Sequence, residues 1–487
     1  MLTKNSDIND IRHLVLTLVA KYAFEGTLDE KRDEIPYEVV PGHKALFRCC
    51  VYREREIVRQ RVRVAEGKFP REGQSNKNIV QILDSACAEC PIQRFVVTDN
   101  CQKCAAKKCL KSCSFNAITI GRDKAYIDPN LCKECGKCAE ACPYDAISDH
   151  QRPCKRSCPV GAISKDEDGI VSIDDEKCIH CGTCIRNCPF GSIAELSYIV
   201  PVIEALKSEK PVYAIVAPAA EGQFGEGATM GDYRAALLEL GFTDVVEVAL
   251  GADLTAESEA QEWLESYKHG QKKVTSCCPA FVAMVRRHFP QLSNAVSTTI
   301  SPMAATSRYL KSLHPDAVTV FIGPCIAKKS EAVDEHIAGN ADYVMTIKES
   351  MALLNAKSIV IKPQGLSLQQ GSIFARGFAR SGGVTDAVVE SLQEKGFTES
   401  IGVYRASGAK ECKMALTRLA FGSLNESFIE GMSCEGGCVN GPGCYTPEIE
   451  SKADRKKLQA QMDDRTITST VEEARSNWQG SMHRDTI

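Results

Sequence analysis

Cysteine spacing constrains this chain more than any other feature of its sequence. Of 487 residues, 25 are cysteines, and sixteen of them lie between positions 87 and 188. Two runs in that block, Cys132 to Cys142 and Cys178 to Cys188, share the spacing C-x2-C-x2-C-x3-C-P. A third run, Cys101 to Cys113, has the same order with two extra residues. In a long chain without a recognisable export signal, cysteines in such number indicate metal binding more often than disulfides.

This spacing is that of bacterial ferredoxins, in which three thiolates hold one [4Fe–4S] cubane and the fourth cysteine ligates the neighbouring cluster. Structural zinc is the alternative, but zinc requires neither the trailing Cys-Pro nor the tandem duplication. The four cysteines outside the three runs are interpreted as a fourth run split by an insertion. We therefore expect two ferredoxin-like α+β units, one nested inside the other, over residues 81–198.

Two pairings of these cysteines are compatible with the crossed rule, and both predict four [4Fe–4S] clusters. The favoured groups are Cys101/Cys104/Cys109/Cys142, Cys132/Cys135/Cys138/Cys113, Cys178/Cys181/Cys184/Cys158 and Cys87/Cys90/Cys154/Cys188. The alternative pairs Cys142 with the Cys178 run and Cys188 with the Cys132 run, and the other cysteines pair among themselves. A series of such clusters moves electrons one at a time.

The remaining sequence is typical of a folded α/β protein. Strand-like runs alternate with helical stretches such as 232–240 and 384–394, and these runs are 212–216, 244–248, 318–322, 343–347 and 401–405. Residues 1–80 are predicted to be mainly helical, with an apolar stripe over 10–24. A charged tail over 449–487 is expected to form a helix and a frayed end. The net charge of −4 disfavours nucleic acid as the ligand, and the apolar run 14–20 is too short to span a membrane.

Three more cysteine motifs follow the ferredoxin-like block. They are Thr275-Ser-Cys-Cys-Pro-Ala-Phe281, Gly323-Pro-Cys-Ile-Ala-Lys-Lys-Ser-Glu331 and Met432-Ser-Cys-Glu-Gly-Gly-Cys438. In this order, and behind ferredoxin repeats, they resemble the motifs of the [FeFe]-hydrogenases, and the Cys-Pro-Ala-Phe form is typical of a divergent subgroup. The resemblance implies a two-lobed iron-only hydrogenase catalytic domain over residues 199–448.

The resemblance also implies the active-site cofactor, an H-cluster. This group is a [4Fe–4S] cubane joined through a cysteine to a two-iron unit that carries CO, CN⁻ and an azadithiolate. By match, the cubane ligands are Cys278, Cys325, Cys434 and Cys438, of which Cys438 is shared with the two-iron unit. Lys328 matches the lysine that binds a cyanide ligand, whereas Lys329 is expected to be solvated.

A proton route is implied in the same way. Cys277 would be the proton donor and acceptor beside the two-iron unit, and Glu259, Ser297 and Glu262 would relay protons outward. Glu259 and Glu262 are three residues apart, so they share one helix face, although without the resemblance they would be interpreted as surface acids. The family arginine at the outer end of this route falls on Ser266, which leaves the exit to solvent unassigned.

Four further residues match positions around the two-iron unit: Pro218, Ala219, Met303 and Met432. Relatives have a bulkier residue at the position of Gly323, and Met303 is predicted to fill the vacated volume. Cys412 and Cys444 match no functional position and are expected to be structural.

The sequence thus predicts a cytoplasmic, oxygen-sensitive enzyme that catalyses 2H⁺ + 2e⁻ ⇌ H₂. Electrons would be exchanged with a ferredoxin-type partner, and maturation proteins would build and insert the two-iron unit. Two other functions stay open: a hydrogen- or redox-sensing relative with slow turnover, and a non-catalytic iron–sulfur electron carrier or cluster-assembly protein.

Overall fold

Helices form the N-terminal part of the chain. The computed structural model describes residues 6–73, 76, 78–90 and 93–485. The first helices are α1 (Ile8–Glu25), α2 (Leu28–Lys31), α3 (Ile35–Val39) and α4 (Val51–Ala65). A capping box starts α1, because the side chains of Asp7 and Asp10 each accept a hydrogen bond from the other's backbone N–H. The predicted apolar stripe of α1 is buried in a hydrophobic cluster together with Leu353 and Leu354.

Short strands and single-turn helices make up the cysteine-rich region. In chain order they are β1 (Val80–Ile82), α5 (Asp84–Cys87), β2 (Phe95–Val97), α6 (Lys108–Ser112), β3 (Ile118–Ile120), β4 (Ala125–Ile127), α7 (Lys137–Glu140), β5 (Ile147–Asp149), α8 (Pro153–Ser157), β6 (Ile163–Lys165), β7 (Val171–Ile173), α9 (Thr183–Asn187) and β8 (Ile193–Glu195). They pair as four antiparallel two-stranded sheets, β1 with β8, β2 with β5, β3 with β4 and β6 with β7. In sequence order, β1 is the first and β8 the last strand of this region, so the other three pairs lie between them. The unit that contains the β2–β5 pair is inserted before β6. This order confirms the nested ferredoxin-like arrangement.

The α/β region contains the longer elements. They are α10 (Ile199–Lys207), β9 (Val212–Val216), α11 (Met230–Leu240), β10 (Asp244–Glu247), α12 (Val248–Lys268), β11 (Lys273–Val274), α13 (Pro279–His288), α14 (Pro302–Leu313), β12 (Val318–Gly323), α15 (Ala327–Ala332), β13 (Tyr343–Thr346), α16 (Ile347–Ala356), α17 (Ile373–Gly377), α18 (Gly383–Glu394), β14 (Val403–Ser407), α19 (Ala409–Ala420), β15 (Phe428–Met432), α20 (Glu448–Gln459) and α21 (Ile467–Asn477). Among the described residues, no helix has the length and apolar character needed to cross a membrane.

Two parallel sheets organise this region into two lobes. One sheet has the strand order β10-β9-β12-β13 and the other has the order β11-β15-β14. Each of the five strands predicted from the sequence is present, and its ends differ from the predicted ends by at most two residues. The α/β class and the two-lobed architecture are therefore confirmed.

The loops that carry the three cysteine motifs all follow the carboxyl ends of these parallel strands. Cys277 and Cys278 follow β11, Cys325 follows β12, and Cys434 follows β15. Since the carboxyl ends of parallel strands lie at one edge of a sheet, ligands commonly bind there. In this chain the motif loops come from strands of both sheets, so they lie between the two lobes.

The C-terminal tail differs from the prediction of one helix and a frayed end. It forms two helices, and α21 buries Ile467, Val471 and Ala474 in the same hydrophobic cluster as Trp263. These three positions are spaced i, i+4 and i+7, which places them on one face of a helix. Beyond α21 the chain stays attached, because Ile300 N donates a 2.7 Å hydrogen bond to Met482 O. The polar composition concealed this apolar stripe.

Lys329 is also not solvated, contrary to the prediction. Its side chain is fully buried, and Nζ donates hydrogen bonds to Glu349 at 2.9 and 3.0 Å and to Leu196 O at 2.7 Å. A buried ammonium requires a paired charge, and Glu349, at the start of α16, provides it. The bond to Leu196 O ties the second cysteine motif to the segment that leaves the cysteine-rich region.

Candidate metal centre

One cavity of about 90 Å³ between the two lobes brings the three cysteine motifs together. Four of the cysteines that line it, Cys278, Cys325, Cys434 and Cys438, are the predicted cubane ligands. All 25 cysteines lie in the described part of the chain, and each of them is a free thiol. The tertiary structure therefore assembles four sulfur donors from loops that are separated by up to 160 positions in the sequence.

The chemistry of the lining fits a soft-metal group. The remaining walls are mainly apolar, with Val248, Phe321 and Phe378 among them, and no described carboxylate or imidazole lines the cavity. No group of three or more His, Cys, Asp or Glu side chains in the described residues is arranged to hold a metal ion. Soft thiolates are the ligands of iron–sulfur clusters, so these four cysteines could hold a cubane.

Burial dominates the electrostatics of these thiols. Burial and, after it, the neighbouring Cys278 raise the pKa of Cys325 to about 12, against the opposing effect of Lys328. Burial likewise raises the pKa values of Cys434 and Cys438, and each of the two is also raised by its neighbouring thiols. Four thiolates in so apolar a space require a compensating positive charge, which bound metal provides.

Cys277 lines the same cavity as a fifth thiol. Burial raises its pKa well above the ordinary value, and Glu259 raises it further. The side chain is therefore a neutral S–H at neutral pH, which is the form that can donate a proton. Its backbone carbonyl accepts a 3.4 Å hydrogen bond from Lys328 Nζ.

Lys328 also lines the cavity, and it has a partner that the sequence analysis missed. Its Nζ lies 2.5 Å from Glu331 Oε2, and both side chains are buried. The two residues are three apart on α15, a spacing that brings side chains together on a helix. That spacing was the available signal, since Glu331 closes the second cysteine motif.

The four residues expected around a two-iron unit, Pro218, Ala219, Met303 and Met432, all line the cavity. The predicted compensation between Met303 and Gly323 stays a prediction, and the nearest neighbours of Gly323 are other residues. The atoms nearest to a Cβ built on Gly323 are ring carbons of Phe321 at 2.6 Å and Cβ of Ala217 at 3.0 Å. Phe321 is two residues earlier on the same strand, so its ring lies on the same face and fills the space.

The acids of α12 are separated into two environments. Glu259 is buried and its Oε1 accepts hydrogen bonds from Ser276 N at 3.0 Å and Ser276 Oγ at 3.1 Å. Burial raises its pKa to about 7. Glu262 accepts from Ser297 Oγ at 2.6 Å and from Lys273 Nζ at 2.7 Å. Its pKa is lowered because these bonds outweigh a burial effect in the opposite direction.

Thr299 connects these two environments. Its carbonyl accepts a hydrogen bond from Ser276 Oγ, its N–H donates to Ser297 Oγ at 3.1 Å, and its Oγ1 donates to Glu262 Oε2 at 3.3 Å. The structure thus brings Glu262 and Ser297 into direct contact and reaches Glu259 through Ser276. Ser276, Thr299 and Lys273 were not identified from the sequence, because their partners lie on another element.

The surface end of this network is formed by the C-terminal tail. Ser266 is buried and donates to the Glu262 backbone carbonyl, so it does not reach solvent itself. Thr298 N donates to Glu262, and Thr298 Oγ1 lies 2.9 Å from Nδ1 of His483. Arg484 is buried behind the motif loop, where it donates to Thr299 O at 3.2 Å. The tail therefore supplies two basic groups, His483 and Arg484, to this network. No sequence motif had connected the tail with the site.

Cysteines of the ferredoxin-like block form four further groups. Three of these groups each line a small cavity of their own. The first contains Cys101, Cys104, Cys109 and Cys142. The second contains Cys113, Cys132, Cys135 and Cys138, and the third contains Cys158, Cys178, Cys181 and Cys184. In the fourth group, burial and the neighbouring Cys188, Cys87 and Cys90 raise the pKa of Cys154 to about 11. These groups are those of the favoured pairing.

The third group adjoins the main site. Cys181 lines the central cavity as well as its own. The next residue, Gly182, has φ +73°, and a Cβ on it would lie 2.7 Å from Ile326 Cδ1 and 2.8 Å from Pro442 Cγ. Glycine therefore permits both the left-handed turn and the close approach of this loop to the central site.

Comparison with known proteins identifies three family matches. Residues 210–442 match the family described as iron only hydrogenase large subunit, C-terminal domain. Residues 125–148 match a 4Fe-4S binding domain, and residues 148–199 match the LdpA Fe-S cluster-binding domain. The cysteine-rich region thus matches families described as binding iron–sulfur clusters, and the α/β region matches a hydrogenase family.

Individual relatives agree with these matches. Iron hydrogenase 1 of Clostridium pasteurianum is 28% identical over 69% of this chain and 67% of its own length. The NADP-reducing hydrogenase subunit HndD of Solidesulfovibrio fructosivorans is 29% identical over 68% of this chain, which spans 58% of that protein. The cytosolic Fe-S cluster assembly factor NAR1 of Meyerozyma guilliermondii is 31% identical over 24% of this chain and 25% of its own. A solved [FeFe]-hydrogenase from Chlamydomonas reinhardtii aligns with a TM-score of 0.46 at 24% identity, over 58% of this chain and 95% of that one.

Proposed function

We propose that this chain, which is an [FeFe]-hydrogenase-like iron–sulfur protein, catalyses 2H⁺ + 2e⁻ ⇌ H₂. One observation carries the proposal. A single cavity is lined by four thiols from three motifs, by the additional thiol of Cys277 and by Lys328. An ordinary ferredoxin site needs only the four thiols, whereas a proton donor and a buried cation suit a site where protons and electrons combine.

In this proposal the four thiols hold the H-cluster. Cys278, Cys325, Cys434 and Cys438 would bind its cubane, and Lys328 would donate a charge-assisted hydrogen bond to a cyanide ligand. When bound, this cofactor supplies the two-electron redox chemistry at iron. The apolar walls, including Met303, Met432 and Ala219, exclude water and keep the site dry.

The protein's own residues move the proton. Cys277 holds it as a neutral thiol that faces the cavity, and Glu259, with a pKa raised to about 7, can both accept and release it near neutral pH. Ser276 and Thr299 would carry the hydrogen-bond path to Ser297 and Glu262. From Glu262 the proton would leave past Lys273 or past Thr298 and His483.

Electrons would arrive through the cysteine groups of the ferredoxin-like block, each holding a [4Fe–4S] cluster. The group that contains Cys181 is the last step in this path because it adjoins the central cavity. A ferredoxin-type protein is the proposed partner at the outer end, and maturation proteins would insert the two-iron unit.

Infrared spectroscopy of protein produced with the maturation system tests this function. We expect bands from CO and CN⁻ bound to iron, about 22 iron atoms per chain for four cubanes and an H-cluster, and hydrogen evolution with reduced ferredoxin. Protein that contains the cubanes but never acquires CO and CN⁻ bands under these conditions would contradict the proposal.

The match to a cluster assembly factor favours one alternative, a non-catalytic iron–sulfur protein. In that case the chain would show the iron content of its cubanes without CO and CN⁻ bands and without hydrogen turnover. The same preparation therefore separates the two functions.

A further inference from the structure

A second and larger cavity, of about 520 Å³, is not used by the proposed hydrogenase function. It lies between the helical region, the cysteine-rich region and the segment after Cys438. One wall is apolar and includes Val15, Leu16, Val64 and Ile185. This volume is in the range of pockets for small molecules and exceeds what a few waters would need.

Four cations line this cavity, and each is oriented by one backbone carbonyl. Arg12 donates to Ile193 O at 2.9 Å, Arg61 to Gly191 O at 2.6 Å, Arg186 to Asn440 O at 2.9 Å and Lys348 to Pro442 O at 3.2 Å. Within the described residues, none of the four lies at ion-pair distance from a carboxylate. A guanidinium has five N–H donors and an ammonium has three, so each group keeps donors for a ligand.

The carboxylates in the cavity do not neutralise these cations. Glu349 pairs with Lys329 and Glu448 with Arg455, which leaves Asp10 and Glu195 against four positive groups. An excess of positive charge therefore faces the cavity, together with the ring of His13.

Arg61 is the most constrained of the four. It is 95% buried, and its Nε has no hydrogen-bond partner among the described residues. Burial and, after it, the neighbouring Arg12 and Arg48 lower its pKa to about 9, against the opposing effects of Cys188 and Glu195. Burial also lowers the pKa of Lys348, against the opposing effect of Glu195. Cations that repel each other in a buried site are costly, and a bound anion would offset that cost.

We propose that this cavity binds a phosphorylated small molecule of nucleotide size. Its phosphates would contact Arg12, Arg61 and Lys348, because guanidinium groups match phosphate oxygens in a bidentate geometry. Its nucleoside part would occupy the apolar wall near Tyr445, whose ring lies 5.7 Å from that of His13. Cys188 lines the same cavity, so the ligand would lie beside the proposed electron path.

Titration calorimetry with ADP and with inorganic pyrophosphate, on the full chain with its cubane clusters, tests the site. We expect one ADP per chain, bound more tightly than pyrophosphate. The double variant Arg12→Gln with Lys348→Gln should bind ADP at least about tenfold more weakly, since it removes two charge-assisted contacts. Arg61→Lys keeps the positive charge but loses the guanidinium group that can contact two phosphate oxygens at once, so it should weaken ADP binding as well.

The matched control is Lys210→Gln with Lys362→Gln, which removes two exposed lysines outside the cavity and should bind ADP as the natural chain does. Three outcomes would overturn the proposal: no ADP binding at about 1 mM, equal loss in the control, or pyrophosphate binding as tight as that of ADP. None of these measurements requires the two-iron unit, so their result is independent of hydrogen turnover.

Discussion

At the scale of single residues, the adjacent thiols Cys277 and Cys278 have different surroundings. Cys278 is one of the four thiols around the void, whereas Cys277 is close enough to Glu259 for that acid to raise its pKa. Lys328 contacts both Glu331 and the Cys277 carbonyl. Position in the loop, rather than residue type, therefore separates the proposed metal-binding role of Cys278 from the proposed proton-carrying role of Cys277.

Replacing Cys277 by serine should abolish turnover without loss of the cofactor. The hydroxyl is a far weaker acid than the thiol, so proton transfer slows, and general acid–base catalysis contributes about 10²- to 10⁴-fold. Hydrogen evolution measures the loss, and the infrared bands of the loaded protein report the intact site. Cys49→Ser, at an exposed thiol, is the control. A Cys277→Ser protein with full turnover would remove this residue from the route.

Glu259 should make stability depend on pH. Because its pKa in the folded chain is raised to about 7 from 4.5, the folded state binds more protons than the unfolded state between these values. Stability therefore falls as pH rises through this window, by about 3 kcal/mol for this group. Glu259→Gln should flatten the fall in melting temperature between about pH 5 and pH 8.

The exposed Glu265 on the same helix supplies the control for that measurement. Glu265→Gln should keep the pH dependence of the natural chain. If Glu259→Gln and Glu265→Gln gave the same curve as the natural chain, the raised pKa of Glu259 would be wrong.

At the scale of elements, the C-terminal segment forms a strap across the proposed proton route. Ile300 N donates to Met482 O, and Arg484 N donates to Thr298 O at 2.9 Å. These bonds hold residues 298–300, which contact Glu262 and Ser276. The strap lies beyond the region matched by the hydrogenase family, residues 210–442.

Deleting the chain after Trp478 should loosen this route while the cofactor stays bound. Without Met482, the Ile300 amide loses its partner, so its hydrogen exchange should accelerate, and turnover should fall about tenfold through misplacement of relay groups. Hydrogen exchange and iron content are the measurements. Gln479→Ala, at an exposed position, should change neither, and unchanged exchange at Ile300 in the deletion would contradict the role of the strap.

At the scale of the whole molecule, three regions meet around the two cavities. The cysteine-rich region contributes Cys181 to the central cavity and Cys188 to the larger cavity that is lined by four cations. The helical region packs on the α/β region through α1, where Asn355 Nδ2 lies 2.7 Å from His13 Nε2. The proposed electron supply and the proposed hydrogen chemistry are thereby held in one assembly.

Cys181→Ala should interrupt the proposed electron path beside the central site. Loss of one cluster would lower the iron content from about 22 to about 18 atoms, and ferredoxin-driven turnover should fall by at least about tenfold. Cys50→Ala, at an exposed thiol outside the groups, should leave both values unchanged. Full ferredoxin-driven turnover in Cys181→Ala would exclude this cluster from the path.

The sequence alone determined those features of the protein that depend on the spacing of residues close together in the chain. The cysteine runs predict nested ferredoxin-like units because ligand spacing is short and regular, and the strand runs predict an α/β region because side-chain periodicity is local. The motifs also pointed to Cys277, Cys278, Cys325, Cys434, Cys438 and Lys328, which the structure brings to one cavity.

Only the tertiary structure decided which distant groups meet. Ser276 reaches Glu259 across 17 positions, Lys273 reaches Glu262 across 11, and Arg484 reaches Thr299 across 185. The ring of Phe321 lies nearest to Gly323, and Lys329 is buried against Glu349. Each of these contacts depends on how elements pack, and hydrogen bonds or ion pairs between separate elements leave no periodic signal in the chain.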